Sequence, residues 1–115
     1  MADTVFKLVD RASWEAAASS GTFDGSAADA RDGFIHFSTA EQVRETAARH
    51  FAGQPDLLLI AVAAASLGDA LRWEPSRGGA LFPHLYAVLP LGAVRWVADL
   101  VLDASGHHVF PDLLQ

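Results

Sequence analysis

One histidine lies in a short apolar run that ends directly before a helix-initiation signal. Residues 33–37 read GFIHF, and Ser38 and Thr39 follow. In an extended strand successive side chains point to opposite faces, so Phe34, His36 and Ser38 share one face and the remaining apolar residues share the other. We therefore expect His36 to point away from the core, near the end of a strand.

Two overlapping capping-box spacings follow this run. Either Ser38 with Glu41 or Thr39 with Gln42 fits the pattern, and both begin a helix within a few residues of His36. The free backbone N–H groups of a first helical turn favour an anion. The junction is therefore a candidate site for an anionic ligand. The alternative, a hydrogen-bonded structural histidine beside a plain helix cap, stays open.

Two later segments place polar side chains at alternating positions of short strands. Arg72 and Glu74 share a face of one segment, and His84 and Tyr86 share a face of the next. A ligand pocket needs polar groups that converge beneath aromatic cover, because apolar walls supply burial and a few polar groups orient the ligand. We predict catalytic roles for His36, Glu74 and His84, and ligand-binding roles for Phe34, Ser38, Thr39, Arg72, Arg77 and Tyr86.

Each candidate also has an ordinary explanation. Glu74 and Arg72 can form a solvated ion pair at a strand end, and the Tyr86 hydroxyl can bond to the backbone. Arg77 lies in the run SRGG at residues 76–79, which suits a flexible anion-binding loop but matches no phosphate-loop pattern. These alternatives stay open until the strands are placed relative to one another.

Other chemistries find little support in the sequence. His36, Glu74 and His84 form a two-histidine, one-carboxylate set, but their wide separation matches no short metal-ligand signature, so we assign no metal. The chain has no GxSxG elbow, which argues against a serine hydrolase. The absence of cysteine excludes disulfides, thiolate nucleophiles and zinc-thiolate sites.

The bulk properties predict one soluble domain spanning residues 1–115. With 115 residues, 51% of them hydrophobic and 19% charged, the chain can build one core and is too short for two ordinary domains. A net charge of −6 argues against an extensive nucleic-acid surface. The longest apolar stretch, residues 57–65, is shorter than the roughly 20 residues of a membrane helix, and no signal-like segment precedes it. We therefore expect a cytoplasmic protein without a membrane partner.

The order of apolar patterns predicts an α+β domain. Strand and helix patterns alternate at first and several short strands follow, which suits a mixed, largely antiparallel sheet with two main helices. The continuous apolar run at residues 57–63 fits a central strand buried on both faces. The predicted elements are strands at 5–9, 33–37, 57–63, 71–74, 82–89 and 94–102, helices at 10–21 and 40–51, a helical turn or plain turn at 66–70, and a surface loop at 22–32 with a short extended piece at 22–24.

These motifs, taken in order, resemble a family of small bacterial and plant proteins known as domain of unknown function family 952. The shared features are a first strand like VFKLVD, Trp14 in the first helix, DGFIHFST with Gln42, and then RWE and FPHLY. The resemblance covers nearly the whole chain. The family name states that its function is not established.

That family is distantly similar to the ADP-ribosyltransferase fold, which includes RNA 2′-phosphotransferases and bacterial toxins that split NAD. The run GFIHFS at residues 33–38 resembles a phosphotransferase strand that reads like HVHLS, and Glu74 is comparable to a late-strand glutamate. The histidine of an HGT-type first-strand motif has no counterpart, because Lys7 and Leu8 occupy that stretch. The resemblance implies an ADP-ribosyltransferase-like fold with NAD as its cofactor or substrate.

Three functional hypotheses follow. The first is an ADP-ribosyl-transferring or NAD-cleaving enzyme in which Glu74 stabilises an oxocarbenium-like charge while His36 or His84 orients the ribose or moves a proton. The second is a non-catalytic module that binds a nucleotide or another small anionic ligand. The third is a protein-interaction domain that uses exposed apolar residues such as Phe34 and Phe82.

Overall fold

The computed structural model describes residues 3–113, apart from the side chain of Arg77. Both strands and helices contribute to the described part, so the predicted α+β class is confirmed. Short 3-10 helices occupy Ala64–Ala70, Arg77–Gly79 and Leu91–Ala93. The main elements are β1 (Thr4–Asp10), α1 (Arg11–Ser20), β2 (Thr22–Phe23), α2 (Ala27–Asp32), β3 (Ile35–His36), α3 (Ala40–His50), β4 (Leu57–Ala63), β5 (Leu71–Pro75), β6 (Leu81–Leu85), β7 (Leu89–Pro90) and β8 (Val94–Leu100).

Strand β4 is the middle strand of a three-stranded antiparallel sheet with the order β1-β4-β8. The first six residues of β4 are buried, because both faces of the sheet are covered. On one face Ile60 joins a core cluster with residues of α1, β3 and β6. On the other face Leu59 packs in a cluster with residues of α3. The predicted central strand at residues 57–63 is therefore confirmed.

A second antiparallel sheet has the order β3-β6-β5 and carries four of the nine predicted site residues. A backbone bridge joins it to β1, since Phe6 N donates to Ser38 O at 2.8 Å and Ser38 N donates to Phe6 O at 2.9 Å. Strands β2 and β7 form a third, two-stranded ladder. All strand pairs in residues 3–113 are antiparallel. Three antiparallel sheets thus replace the single mixed sheet that we predicted, because the short links between the later strands leave no room for a parallel crossover.

The predicted surface loop at residues 22–32 contains a helix, α2, that the sequence analysis missed. Ser26 caps it, because Asp29 N donates to Ser26 Oγ at 3.2 Å and Ser26 N donates to Asp29 Oδ2 at 2.8 Å. Gly33 ends it with a φ of 86°, a left-handed conformation that glycine adopts without strain. Two predicted helices are therefore corrected to three, although the extended piece at the start of this segment is present as β2.

The two helices that the sequence did predict are confirmed. Asp10 caps α1, where Ser13 N donates to Asp10 Oδ2 at 2.9 Å, and Gly21 ends it. Helix α3 follows the second of the two capping alternatives, because Thr39 N donates to Gln42 Oε1 at 3.0 Å. None of the helices within residues 3–113 combines the length and the apolar character needed to cross a bilayer.

The late strands are shorter than predicted. The segment predicted at residues 82–89 divides into β6 and β7, because the chain bends at residues 86 and 87 and then pairs with β2. The strand predicted at residues 94–102 ends as β8 at Leu100. The bend places Tyr86 directly after the last residue of β6.

Candidate functional site

The second sheet gathers four of the predicted residues on one face. His36 lies opposite His84 in the β3–β6 pair, and His84 lies opposite Arg72 in the β6–β5 pair. Glu74 follows two residues after Arg72 and therefore points to the same side of β5. The ring centroids of His36 and His84 are 5.7 Å apart. Cross-strand register thus brings together side chains that are distant in sequence.

Glu74 is the central acceptor of this group. Its Oε1 accepts a hydrogen bond from the Tyr86 hydroxyl at 2.7 Å and lies 2.8 Å from Nδ1 of His84. An ionised carboxylate only accepts, so Nδ1 of His84 is the donor in this contact and Nε2 is the nitrogen that points away from Glu74. The hydrogen bonds from His84 and Tyr86 hold the pKa of Glu74 below its usual value, and the bond to Glu74 raises the pKa of Tyr86. No described residue donates to Oε2, and the side chain is 34% exposed.

Phe34 covers the two histidines with an aromatic ring. The ring stacks on His84 with 4.1 Å between centroids and an angle of 24°, and its centroid lies 4.6 Å from that of His36 and 5.3 Å from that of Tyr86. The Arg72 guanidinium lies 4.7 Å from the centroid of the Tyr86 ring, within the range of a cation–π contact. Phe34 and Arg72 therefore pack against the two rings, His84 and Tyr86, that hydrogen-bond to Glu74.

His36 is held between two aspartates that the sequence analysis did not assign to the site. Its Nδ1 lies 2.6 Å from Asp29 Oδ1, and its Nε2 lies 2.9 Å from Asp32 Oδ2. Both ring nitrogens therefore face carboxylate oxygens, and neither is free to accept a proton from a ligand. The geometry argues against His36 as a general base.

Asp29 also forms a buried ion pair with Lys7 behind His36. The two residues are 2% and 6% exposed, and Lys7 Nζ lies 3.0 Å from Asp29 Oδ2. Burial acts to raise the pKa of Asp29, but the hydrogen bond from His36 and the charge of Lys7 outweigh it and hold this pKa well below its usual range. Burial lowers the pKa of Lys7, against the opposing influence of the Asp29 charge. Asp29 thus carries a charge inside the fold, with donors at both oxygens.

The sequence contained partial signals for these missed residues. Ser26 and Asp29 have the spacing of a capping box, with aspartate in place of the usual glutamate. Lys7 is the only lysine and lies between apolar residues of β1, and a lysine is rarely buried without a partner. No sequence rule identifies that partner as Asp29 in α2, because the two residues meet only in the folded chain.

Ser38 and Thr39 lie apart from this group. Ser38 is 4% exposed and its Oγ lies 3.1 Å from Thr46 Oγ1 of α3. Strand β3 ends at His36, and Ser38 pairs with β1 instead, so the alternation that we extended from His36 to Ser38 does not place both side chains at one site. Thr39 begins α3, whose first residues, Ala40 and Glu41, line a different depression. The start of α3 therefore borders a different depression from the one that Phe34 and Tyr86 border.

Two further predicted residues are not available as expected. The side chain of Arg77 lies outside the described part of the structure, so its predicted ligand contact is not located. Phe82 is only 7% exposed and belongs to the protein interior, while Phe34 packs against the histidines and Tyr86. Phe82 is therefore not one of the exposed apolar residues that the protein-interaction hypothesis named as examples.

Two surface depressions differ in their chemistry. One, of about 340 Å³, is bordered by Phe34, Tyr86 and Asp29 and adjoins the histidine cluster. The other, of about 640 Å³, is bordered by Phe6, Trp96 and the start of α3 and includes none of the predicted catalytic residues. We assign the candidate site to the smaller depression, because the interacting titratable side chains lie beside it. Within residues 3–113, no group of three or more His, Cys, Asp or Glu side chains is arranged to hold a metal ion.

Solved structures of a protein from Caulobacter crescentus are similar to this chain along most of its length. The crystal structure of protein CC0527 from Caulobacter crescentus is 53% identical, with 92% of this chain and 93% of that chain covered and a TM-score of 0.89. The solution NMR structure of CC0527 is 53% identical, with 92% and 91% covered and a TM-score of 0.83. No curated protein matches this chain. The family model described as "Protein of unknown function (DUF952)" matches residues 8–97, a span that includes His36, Glu74 and His84, and the chain therefore belongs to the DUF952 family, as its motifs predicted.

Proposed function

We propose that this DUF952 protein binds a nucleotide of NAD type beside the β3-β6-β5 sheet and cleaves its N-glycosidic bond, with water or an alcohol as the acceptor of the ADP-ribosyl group. One observation carries the proposal. Glu74 accepts hydrogen bonds from His84 and Tyr86 at one carboxylate oxygen, while no described residue donates to the other. A partly exposed carboxylate in this state can face a positively charged reaction centre.

The charge on Glu74 suits this chemistry. When the bond between C1′ and the nicotinamide nitrogen breaks, its electron pair leaves with nicotinamide and the ribose becomes oxocarbenium-like. A carboxylate facing that charge stabilises the transition state, provided it is ionised beforehand. The lowered pKa of Glu74 supports an ionised side chain at neutral pH. Nε2 of His84 would take the proton of the water or alcohol that adds to C1′.

The surroundings of Glu74 support the rest of such a ligand. The rings of Phe34 and Tyr86 offer stacking surfaces for a planar heterocycle, and Arg72 is an exposed cation suited to a phosphate. The proposal extends to an ADP-ribosyltransferase-like fold. It is supported by two joined antiparallel sheets and by the first strand and helix that precede the histidine strand.

A non-catalytic ligand-binding module is the second candidate, and the surroundings of His36 favour it. Both ring nitrogens of His36 face aspartate oxygens, and the Ser38 hydroxyl faces Thr46. These two predicted residues therefore offer no free proton acceptor or nucleophile at the site. A binding module needs only the rings, the guanidinium and the open oxygen of Glu74.

Substitution of Glu74 separates the two candidates. We would measure nicotinamide release from NAD by chromatography, and NAD and ADP-ribose affinity by calorimetry, for the natural protein, Glu74→Gln and the control Glu15→Gln. Glu15 is exposed on α1, and its replacement by glutamine removes the same negative charge. An enzyme should lose at least about 100-fold in turnover with Glu74→Gln while NAD affinity stays within about threefold.

The other outcomes are equally informative. Binding of NAD without nicotinamide release, unchanged by Glu74→Gln, would establish the binding module and rule out the enzyme. Absence of any binding or thermal stabilisation at millimolar NAD and ADP-ribose would overturn both candidates.

A further inference from the structure

The border of the smaller depression includes an aspartate without a partner among the described residues, and it includes no basic side chain. Asp24 lies on its border, is exposed, and has no hydrogen bond or ion pair with any described residue. The other acidic residue on the border, Asp29, already has donors at both oxygens from Lys7, His36 and Ser26. The full border consists of Asp24, Asp29, Ala30, Gly33, Phe34, Ile35, Leu85, Tyr86, Ala87 and Val88, without lysine, arginine or histidine.

We propose that this depression is a subsite for a planar aromatic cation. The Phe34 and Tyr86 rings border it with their centroids 5.3 Å apart, and aromatic faces attract both planar rings and positive charge. Ile35 and Leu85, both buried, provide an apolar floor. Asp24 supplies the opposite charge. These three features together select a charged ring over an uncharged ring of the same shape.

The same surroundings disfavour an anion in this depression. A phosphate there would meet Asp24 and Asp29 without a basic side chain on the border. Arg72 stacks on the Tyr86 ring but is not part of the border. The site is therefore polarised, with the cation subsite at the depression and a phosphate position on the Arg72 side of Tyr86.

The identity of the natural ring rests on the proposed function. In an oxidised NAD-type nucleotide the nicotinamide is a pyridinium, a planar cation, whereas the reduced ring and free nicotinamide are uncharged. If the pyridinium binds in this depression, its ring lies near Asp24 and the attached ribose points toward Glu74. The subsite thus explains how a site with acidic surroundings can take a nucleotide that also carries phosphates.

A matched pair of small molecules tests the subsite without the nucleotide. We would measure the affinity of 1-methylnicotinamide, a cation, and nicotinamide, its uncharged counterpart, by calorimetry and ligand-observed NMR. The natural protein should bind 1-methylnicotinamide about tenfold more tightly. Asp24→Asn should reduce this preference to about twofold or less. Glu15→Gln, which removes the same charge from exposed α1, should leave the preference unchanged.

Each result has a defined meaning. The cation subsite would be overturned by equal affinity for the two compounds or by a preference for nicotinamide. It would also be overturned if neither compound bound at about 10 mM, which is tenfold above a Kd of about 1 mM, or if the preference survived Asp24→Asn. NAD binding together with any of these results would leave the proposed function standing and the subsite rejected. A charge preference that depends on Asp24, without NAD or ADP-ribose binding, would confirm the subsite and reject the nucleotide.

Discussion

Two carboxylate–histidine pairs have their histidines side by side on the second sheet, and the surroundings of the two pairs differ. Asp29 contacts His36 at 2.6 Å, and Glu74 contacts His84 at 2.8 Å. Asp29 is 2% exposed and has donors at both oxygens, whereas the Glu74 side chain is 34% exposed and one of its oxygens has no donor among the described residues. The Asp29–His36 pair therefore stabilises the fold, whereas the Glu74–His84 pair keeps a carboxylate oxygen that a ligand can contact.

The exposure of the carboxylate explains this division. A buried carboxylate has lost its hydration, which costs several kcal/mol, so it depends on every donor that the fold supplies. Lys7, His36 and Ser26 supply those donors to Asp29. A partly exposed carboxylate keeps much of its hydration and contributes little to stability through its ion pairs. Removing Asp29 should therefore damage the fold, and removing the charge of Glu74 should damage only ligand chemistry.

The largest expected effect is on folding, from Asp29→Asn. The substitution leaves the Lys7 ammonium buried without its counter-ion, which should lower the free energy of unfolding by about 3–5 kcal/mol. Urea denaturation followed by circular dichroism measures the loss. The double variant Lys7→Met with Asp29→Asn should recover part of it, because no unpaired charge remains. A loss below about 1 kcal/mol for the single variant would contradict a structural role for the buried pair.

The second effect is a loss of stability in acid. The folded-state pKa of Asp29 is depressed, so its contribution is fully present above the unfolded-state pKa of about 4 and is lost as the pH falls toward the folded-state pKa. The side chains of Lys7 and His36 face this carboxylate, so comparison with Asp29→Asn isolates the contribution of the Asp29 charge. Below about pH 4 this one residue should contribute a slope of about 1.4 kcal/mol per pH unit.

Urea titrations from pH 7 to pH 2 test this slope. The difference in unfolding free energy between the natural protein and Asp29→Asn should shrink as the pH falls below about 4. A constant difference across that range would show that the substitution acts through packing and not through the Asp29 charge.

The fold was predictable where apolar pattern determines it. The run at residues 57–63 is continuously apolar, and only a strand covered on both faces buries all of it, so the central strand β4 followed from composition alone. Helix α2 escaped prediction because its six residues present no apolar stripe and its buried residue is Asp29. The end of β3 was also missed, since alternation alone does not reveal that Ser38 leaves one sheet to pair with β1.

The candidate site was predictable where strand alternation determines the direction of a side chain. Alternation along β5 and β6 correctly grouped Arg72 with Glu74 and His84 with Tyr86, because side-chain direction in a strand is a local property. The donors around His36 were not predictable, because a contact between Lys7 of β1 and Asp29 of α2 depends on how separate elements pack. Local sequence rules therefore identified the partly exposed Glu74–His84 pair more readily than the buried Asp29–His36 pair.

The smallest expected effect on folding comes from Glu74→Gln, and it sharpens the contrast most directly. The glutamine keeps an oxygen that can accept from Tyr86 and His84, and the side chain is partly hydrated, so little is lost when the charge is removed. The urea midpoint at pH 7 should shift by no more than roughly a fifth of the shift caused by Asp29→Asn. A shift as large as that of Asp29→Asn would mean that Glu74 also serves the fold, and its open oxygen would then be no guide to a ligand.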